Sequence, residues 1–181
     1  HALYPVEQHL KTAMLLELLR RTDTESVLVF ARTKHRAKKL GEQLSKAGFR
    51  TASLQGNLSQ NKRQAAMKDF RDGTYQILVA TDIAARGIDV DRISHVINYD
   101  ISDTPEAYIH RIGRTGRAEK SGDAFTLVTR DDTATVRAIE RILGCPLRRN
   151  TIDGFDYKMP APRKDAEFAR TPANSTRNRR V

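Results

Sequence analysis

This 181-residue chain has one cysteine, Cys145. A lone thiol excludes an internal disulfide and fits a reducing compartment, so the expectation is a cytoplasmic protein. Cys145 stands beside Pro146 at an expected helix end, where it reads as a small packed residue rather than a nucleophile. No apolar run approaches the ~20 residues of a membrane-spanning helix, and the residues given show no signal peptide. The five histidines have no metal-ligand spacing, and no segment repeats. There is no G-x-x-x-x-G-K-S/T phosphate loop, no Gly-Lys pair and no Asp-Glu pair. The usual cradle for nucleotide phosphates is therefore missing from this chain.

Positive charge, by contrast, is plentiful. Thirty-two Lys and Arg face 22 Asp and Glu, a formal net charge of +10 with a pI near 10.0. Such a balance points to a polyanionic partner. The charge is uneven. Residues 158–181 hold seven basic and two acidic side chains, a net +5, together with three prolines and little apolar content. That composition cannot bury enough surface to offset its ordering entropy. We therefore expect a folded domain over 1–157 and a flexible basic tail over 158–181. The tail would attract phosphates without regard to sequence or serve as a solubilising linker. The first residue is His1 rather than Met, which suggests a piece of a longer protein.

Residues 8–21 set Leu10, Ala13, Met14, Glu17 and Leu18 at helical spacing. Ser26–Ala31 is a continuous apolar run, as expected of a strand buried on both faces. Thr33 reads as the N-cap of a helix through Lys46, closed by Ala47-Gly48. Thr51–Leu54 is a second strand, and Ser59 caps a helix that ends at Gly73. Gln76–Ala80 and Ser94–Tyr99 are further strands, and Asp103-Thr104-Pro105 opens a helix. Asp123–Thr129 is a strand and Asp131–Leu143 a helix closed by Gly144. Alternating strands and helices predict an α/β fold, a mostly parallel sheet with helices on both faces. Ligands of such sheets lie beyond the carboxyl ends of the strands. The loops there carry Arg32-Thr33-Lys34, Gln55-Gly56-Asn57, Thr81-Asp82 and Asp100.

Two stretches carry chemistry. In His110-Arg111-Ile112-Gly113-Arg114-Thr115-Gly116-Arg117, arginines recur every third residue with glycines between them. Guanidinium forks match phosphate oxygens two at a time, and glycines let backbone and cations crowd an anion. An exposed basic helix end that touches nothing is the plain alternative. Leu78–Val90 runs from a strand into a polar loop holding Thr81, Asp82, Arg86, Gly87 and Asp89. Thr81 and backbone N–H groups suit phosphate or sugar, Gly87 allows close approach, and Asp89 can accept from ribose hydroxyls. The alternative is a structural turn in which Asp82 caps a short helix and Asp89 pairs with Arg86.

Together these stretches closely resemble the second RecA-like domain of the DEAD-box RNA helicases, in superfamily 2. The resemblance covers about residues 1–145. Val27–Lys34 resembles motif IV, Ala80–Asp89 motif V and His110–Arg117 motif VI, while Gln55-Gly56 and Gln60–Phe70, with Arg63, resemble an RNA-contact region. The wording of Tyr4-Pro5-Val6, of Ala31–Ala37 and of the tail is most like the bacterial RhlE type. The resemblance implies that Arg114 and Arg117 are arginine fingers toward the γ-phosphate of ATP and that Asp89 contacts the ribose. It also implies that His110 couples to a partner domain, and that Thr33, Gly56, Arg63 and Thr81 hold the RNA backbone. For Arg111 a structural or interdomain role is expected. The phosphate loop and the Mg²⁺ carboxylate belong to the first domain in this family. The chain would thus supply half of an ATP site and half of an RNA groove, and be inactive alone. A non-catalytic RNA-binding or annealing module, or a DNA-acting superfamily 2 motor, are the other readings.

Overall fold

The computed structural model describes residues 1–22, 25–56, 58–85, 93–114 and 122–161. Seven strands form a single sheet in the order β3-β4-β2-β5-β6-β1-β7. They are β1 (Ala2–Pro5), β2 (Val27–Phe30), β3 (Thr51–Leu54), β4 (Ile77–Ala80), β5 (His95–Asn98), β6 (Asp123–Val128) and β7 (Arg148–Arg149). Every pairing between neighbours is parallel. The helices are α1 (Lys11–Arg21), α2 (Lys34–Lys46), α3 (Gln60–Arg71), α4 (Asp82–Ala85), α5 (Pro105–Ile112) and α6 (Thr133–Leu143). A 3₁₀ turn precedes α1 at Gln8–Leu10, and another precedes α6 at Arg130–Asp132.

The central strands β2 and β4 are buried throughout because both their faces are covered. Side chains alternate across the pleat. Val27, Val29, Ile77 and Val79 pack with Leu10, Met14, Leu15 and Leu18 of the α1 region and with Ala37, Leu40 and Leu44 of α2. Leu28, Phe30, Leu78 and Ala80 face the other way, toward Phe70 of α3 and Ala84 and Ala85 of α4. A third cluster joins Leu3, Ala124 and Val128 to Tyr108 and Ile112 of α5 and Val136 and Ile139 of α6. The predicted α/β sandwich, with helices on both faces, is the observed one.

Local chemistry sets the ends of these elements. The Thr33 hydroxyl accepts from the Arg36 N–H at 3.2 Å, Ser59 caps α3 through Lys62, and Thr104 accepts from Ala107 at 3.2 Å. After α6 the chain turns at Gly144 with φ 70°, a left-handed conformation open to glycine at little cost. Cys145 follows that turn and is exposed, not packed: the turn carries it away from the α6 face that meets the core. Two strands had no signal in the pattern. β1 has only four residues and ends in proline, and β7 is two exposed arginines paired at the sheet edge. The described chain continues past Tyr157, where the Met159 carbonyl meets the His9 ring at 2.8 Å. The rest of the predicted basic tail, 162–181, lies outside the described residues.

Candidate nucleotide and nucleic-acid site

The carboxyl ends of β2, β4 and β5 converge on one buried guanidinium. Arg111, 3% exposed, projects from α5. Its Nε donates to Asp82 Oδ1 at 2.6 Å and its Nη2 to Asp82 Oδ2 at 2.7 Å, a two-pronged pair with the first residue of α4. Its Nη1 donates to Asn98 Oδ1 at 3.1 Å and to the Asp100 carbonyl at 2.7 Å. The ring of Phe30 lies 4.8 Å from the guanidinium carbon, close enough for a cation–π contact. Asn98 sits in the middle of the sheet and donates in turn to Thr126 Oγ1 at 3.0 Å. Arg111 is thus a structural residue, as expected, joining β2, β5, α4 and α5.

His110 and Arg114 flank it. With Phe30, Asp82, Ala85, Ala107 and Arg111 they line an open concavity of about 130 Å³. His110 is exposed and Arg114 half-buried, its N–H donating to the Arg111 carbonyl at 3.1 Å. The concavity is cationic on its rim, is too small to enclose a nucleotide, and opens outward. Arg117, Gly87 and Asp89 lie outside the described residues.

Thr81 ends β4. Its hydroxyl accepts from the Ala84 N–H at 3.4 Å and its carbonyl from Ala85 at 2.8 Å. The capping role weighed for Asp82 therefore belongs to Thr81, and Asp82 is free to bind Arg111. Thr33 caps α2 at the end of β2, beside a basic depression of about 410 Å³ lined by Arg32, Thr33, His35, Arg36 and Lys39. A capped helix start ringed by cations suits a phosphate. Gly56 follows β3 and is exposed; Arg63 lies in the first turn of α3. Thr33, Gly56 and Thr81 share the carboxyl edge of the sheet.

Asp100 links the two regions. Its Oδ2 accepts from the Arg32 N–H at 2.8 Å and its Oδ1 from Arg36 Nη1 at 2.7 Å, while its carbonyl serves Arg111. Lys11 lies below it, 3% exposed, with Nζ 3.2 Å from the Tyr99 carbonyl, 4.0 Å from Asp100 Oδ1 and 3.9 Å from Asp132 Oδ2. Burial pushes the Lys11 ammonium below its ordinary value, and the carboxylates of Asp100 and Asp132 oppose that shift. The sequence did hold a sign of Lys11. It precedes Met14, Leu15 and Leu18 by three, four and seven residues, placing a cation on the apolar stripe of α1. For Asp100 the sequence marked the place, after a strand end, but not the partners.

A roomier concavity, about 610 Å³, lies elsewhere, between the ends of β1 and β6 and helix α6. Two pairs of its charges meet locally, Glu7 with Arg130 at 3.6 Å and Glu140 with Arg149 at 2.9 Å. Among the described residues no three His, Cys, Asp or Glu side chains are grouped to hold a metal ion, and no helix is long and apolar enough to cross a membrane.

The parallel sheet, its covering helices and its likeness to solved structures make this a RecA-like domain. The chain is 36% identical to Escherichia coli DEAD-box protein SrmB, solved bound to regulator of ribonuclease activity A. The match covers 90% of this chain and 96% of that one, with a TM-score of 0.83. Saccharomyces cerevisiae Dbp5 bound to RNA and ADP BeF3 matches at 33% identity and TM-score 0.77, over 84% of this chain and 41% of that one. DEAD-box ATP-dependent RNA helicase CshA of Bacillus subtilis is 43% identical over 136 residues, 75% of this chain and 28% of that protein. Helicase conserved C-terminal domain is the family that matches residues 10–119. The chain belongs to that family, as the C-terminal helicase domain of a DEAD-box RNA helicase. It spans about a quarter of the length of the curated relatives it matches.

Proposed function

We propose that this chain is the second motor domain of an ATP-dependent RNA helicase, of the bacterial RhlE type and acting in the cytoplasm. The carrying observation is that His110 and Arg114 rim a cationic concavity beside the Asp82–Arg111 pair. The residues present fit a triphosphate brought by another domain: the rim is positive, open and only part of an enclosure. ATP and Mg²⁺ would be held mainly by the N-terminal RecA-like domain, through its phosphate loop and acidic motif. Arg114 and Arg117 would stabilise the charge spread over the transferring phosphoryl group. Asp89, with the close approach Gly87 allows, would contact the ribose, and His110 would couple the two domains. Thr33, Gly56, Arg63 and Thr81 would hold the RNA sugar-phosphate backbone, which gives affinity with little sequence preference. Closure of the two domains would then assemble both sites, and the chain alone would be inactive.

The test uses the protein carrying both motor domains. Arg114→Ala and Arg117→Ala are each expected to lower RNA-stimulated ATP turnover by about 10³-fold or more, while RNA affinity stays within about threefold, since neither guanidinium is assigned to the RNA backbone. Turnover within tenfold of wild type in both variants would remove the finger assignment.

A further inference from the structure

We infer that Lys11, outside both the nucleotide and the RNA loops, is a positioning residue that couples them. The inference rests on the two-site reading above and deepens it. Tyr99-Asp100 is the segment that both sides share. Asp100 fixes the Arg32–Arg36 turn through the Arg32 N–H and the Arg36 guanidinium, and its carbonyl fixes Arg111, which holds Asp82. The first turn of α1 clamps this segment from below. Lys11 donates to the Tyr99 carbonyl and faces the Asp100 carboxylate, while the Thr12 hydroxyl meets the Tyr99 hydroxyl at 2.9 Å.

Two costs show that this lysine is not there for helix stability. Its ammonium is buried, which desolvates a charge. It also sits at the first position of α1, where the helix dipole disfavours a cation. What it supplies is a charge match for Asp100 and Asp132 and a donor for a strand-end carbonyl. With Lys11 in place Asp100 has a cation on the α1 side and another, Arg36, on the α2 side. Without Lys11 the Asp100 carboxylate keeps the Arg32 N–H and the Arg36 guanidinium but loses its cation on the α1 side, and the Tyr99 carbonyl loses its α1 donor. The segment through which the RNA-side turn and the Arg111 anchor are joined then loses its hold on α1 and transmits displacement between them less faithfully.

The readout is the thermodynamic coupling of the two ligands in the protein carrying both motor domains. Affinity for a single-stranded RNA is measured with and without a non-hydrolysable ATP analogue; couplings of this kind are typically about 5–150-fold. Lys11→Met is expected to reduce the ratio to less than about threefold, and Lys11→Arg, which keeps the charge, to hold it within about twofold of wild type. Met14→Ala, a core truncation on the same helix, is expected to lower stability and leave the ratio unchanged. If Lys11→Met does not fold, the pair Lys11→Met with Asp100→Asn removes the buried charge together with its counter-ion and should also uncouple. Wild-type coupling in whichever of these folds, an equal loss in Met14→Ala, or failure of both to fold while Lys11→Arg uncouples, would overturn the inference. A wild-type protein with no RNA–nucleotide coupling would instead overturn the motor-domain reading.

Discussion

Arg111 and Asp82 face each other across 29 residues of sequence through two parallel hydrogen bonds of 2.6 and 2.7 Å. The pair ties α5, which carries His110, to the start of α4, which continues β4. The described parts of the stretches that resemble motifs V and VI, 80–85 and 110–114, are therefore joined by a fork whose guanidinium is buried.

Removing Arg111 leaves the Asp82 carboxylate, Asn98 Oδ1 and the Asp100 carbonyl without their donor. Arg111→Ala is expected to cost about 1–3 kcal/mol, the usual penalty for leaving buried acceptors, here Asn98 Oδ1 and the Asp100 carbonyl, without a donor. Arg111→Lys recovers only part of it, because an ammonium cannot reproduce the fork. Urea unfolding of the three proteins side by side measures both effects; an alanine variant as stable as wild type would contradict the role.

Helix α5 depends on its first turn. Thr104 accepts from the Ala107 N–H, and Pro105 follows at the first helical position. Thr104→Ala is expected to lower stability by about 1 kcal/mol, and Thr104→Ser to restore most of it. The midpoint of thermal unfolding reports both.

Lys11 makes stability depend on pH in an uncommon direction. Its folded-state pKa lies below the ordinary 10.5 because burial outweighs the carboxylates. Over the window between that lowered value and 10.5 the unfolded chain binds more protons, so Lys11 makes the fold more stable as pH rises. The stability difference between wild type and Lys11→Met should therefore move in favour of wild type as pH rises through that window. Denaturant titrations at stepped pH test the sign. Glu140 runs the ordinary way. Arg149, then the Leu147 N–H, hold its carboxyl below its ordinary value. Its contribution is present above the ordinary value and lost as pH falls through the lowered one.

The tail should act through phosphates. Deleting residues 158–181 removes seven basic and two acidic side chains, and RNA affinity should fall with a shallower salt dependence. Each lost single-strand phosphate contact reduces the slope by about 0.7. An unchanged slope would assign the tail to spacing alone.

Much of the fold was legible because the sequence states it locally. β2 and β4 are apolar runs, Thr33, Ser59 and Thr104 are caps, and Gly144 closes α6, each readable from neighbours in the chain. β1 and β7 were not legible, since short strands at one side of a sheet are defined by their partners. At the site, the places of Thr33, Gly56 and Thr81 after strand ends could be read ahead, because parallel topology sends alternate loops to one edge; His110 and Arg114 lie in and just after α5.

The sequence by itself determined the alternation of strands and helices, the excess of positive charge and the arginine-glycine spacing of 110–117, all properties of nearby residues. Only the tertiary structure decided that Arg111 is an anchor with Arg114 on the rim, that Asp82 serves Arg111 and not a helix cap, and that Lys11 lies buried against Asp100. Partners 29 and 89 residues apart are chosen by the packing of helices on the sheet, and no local pattern encodes that choice.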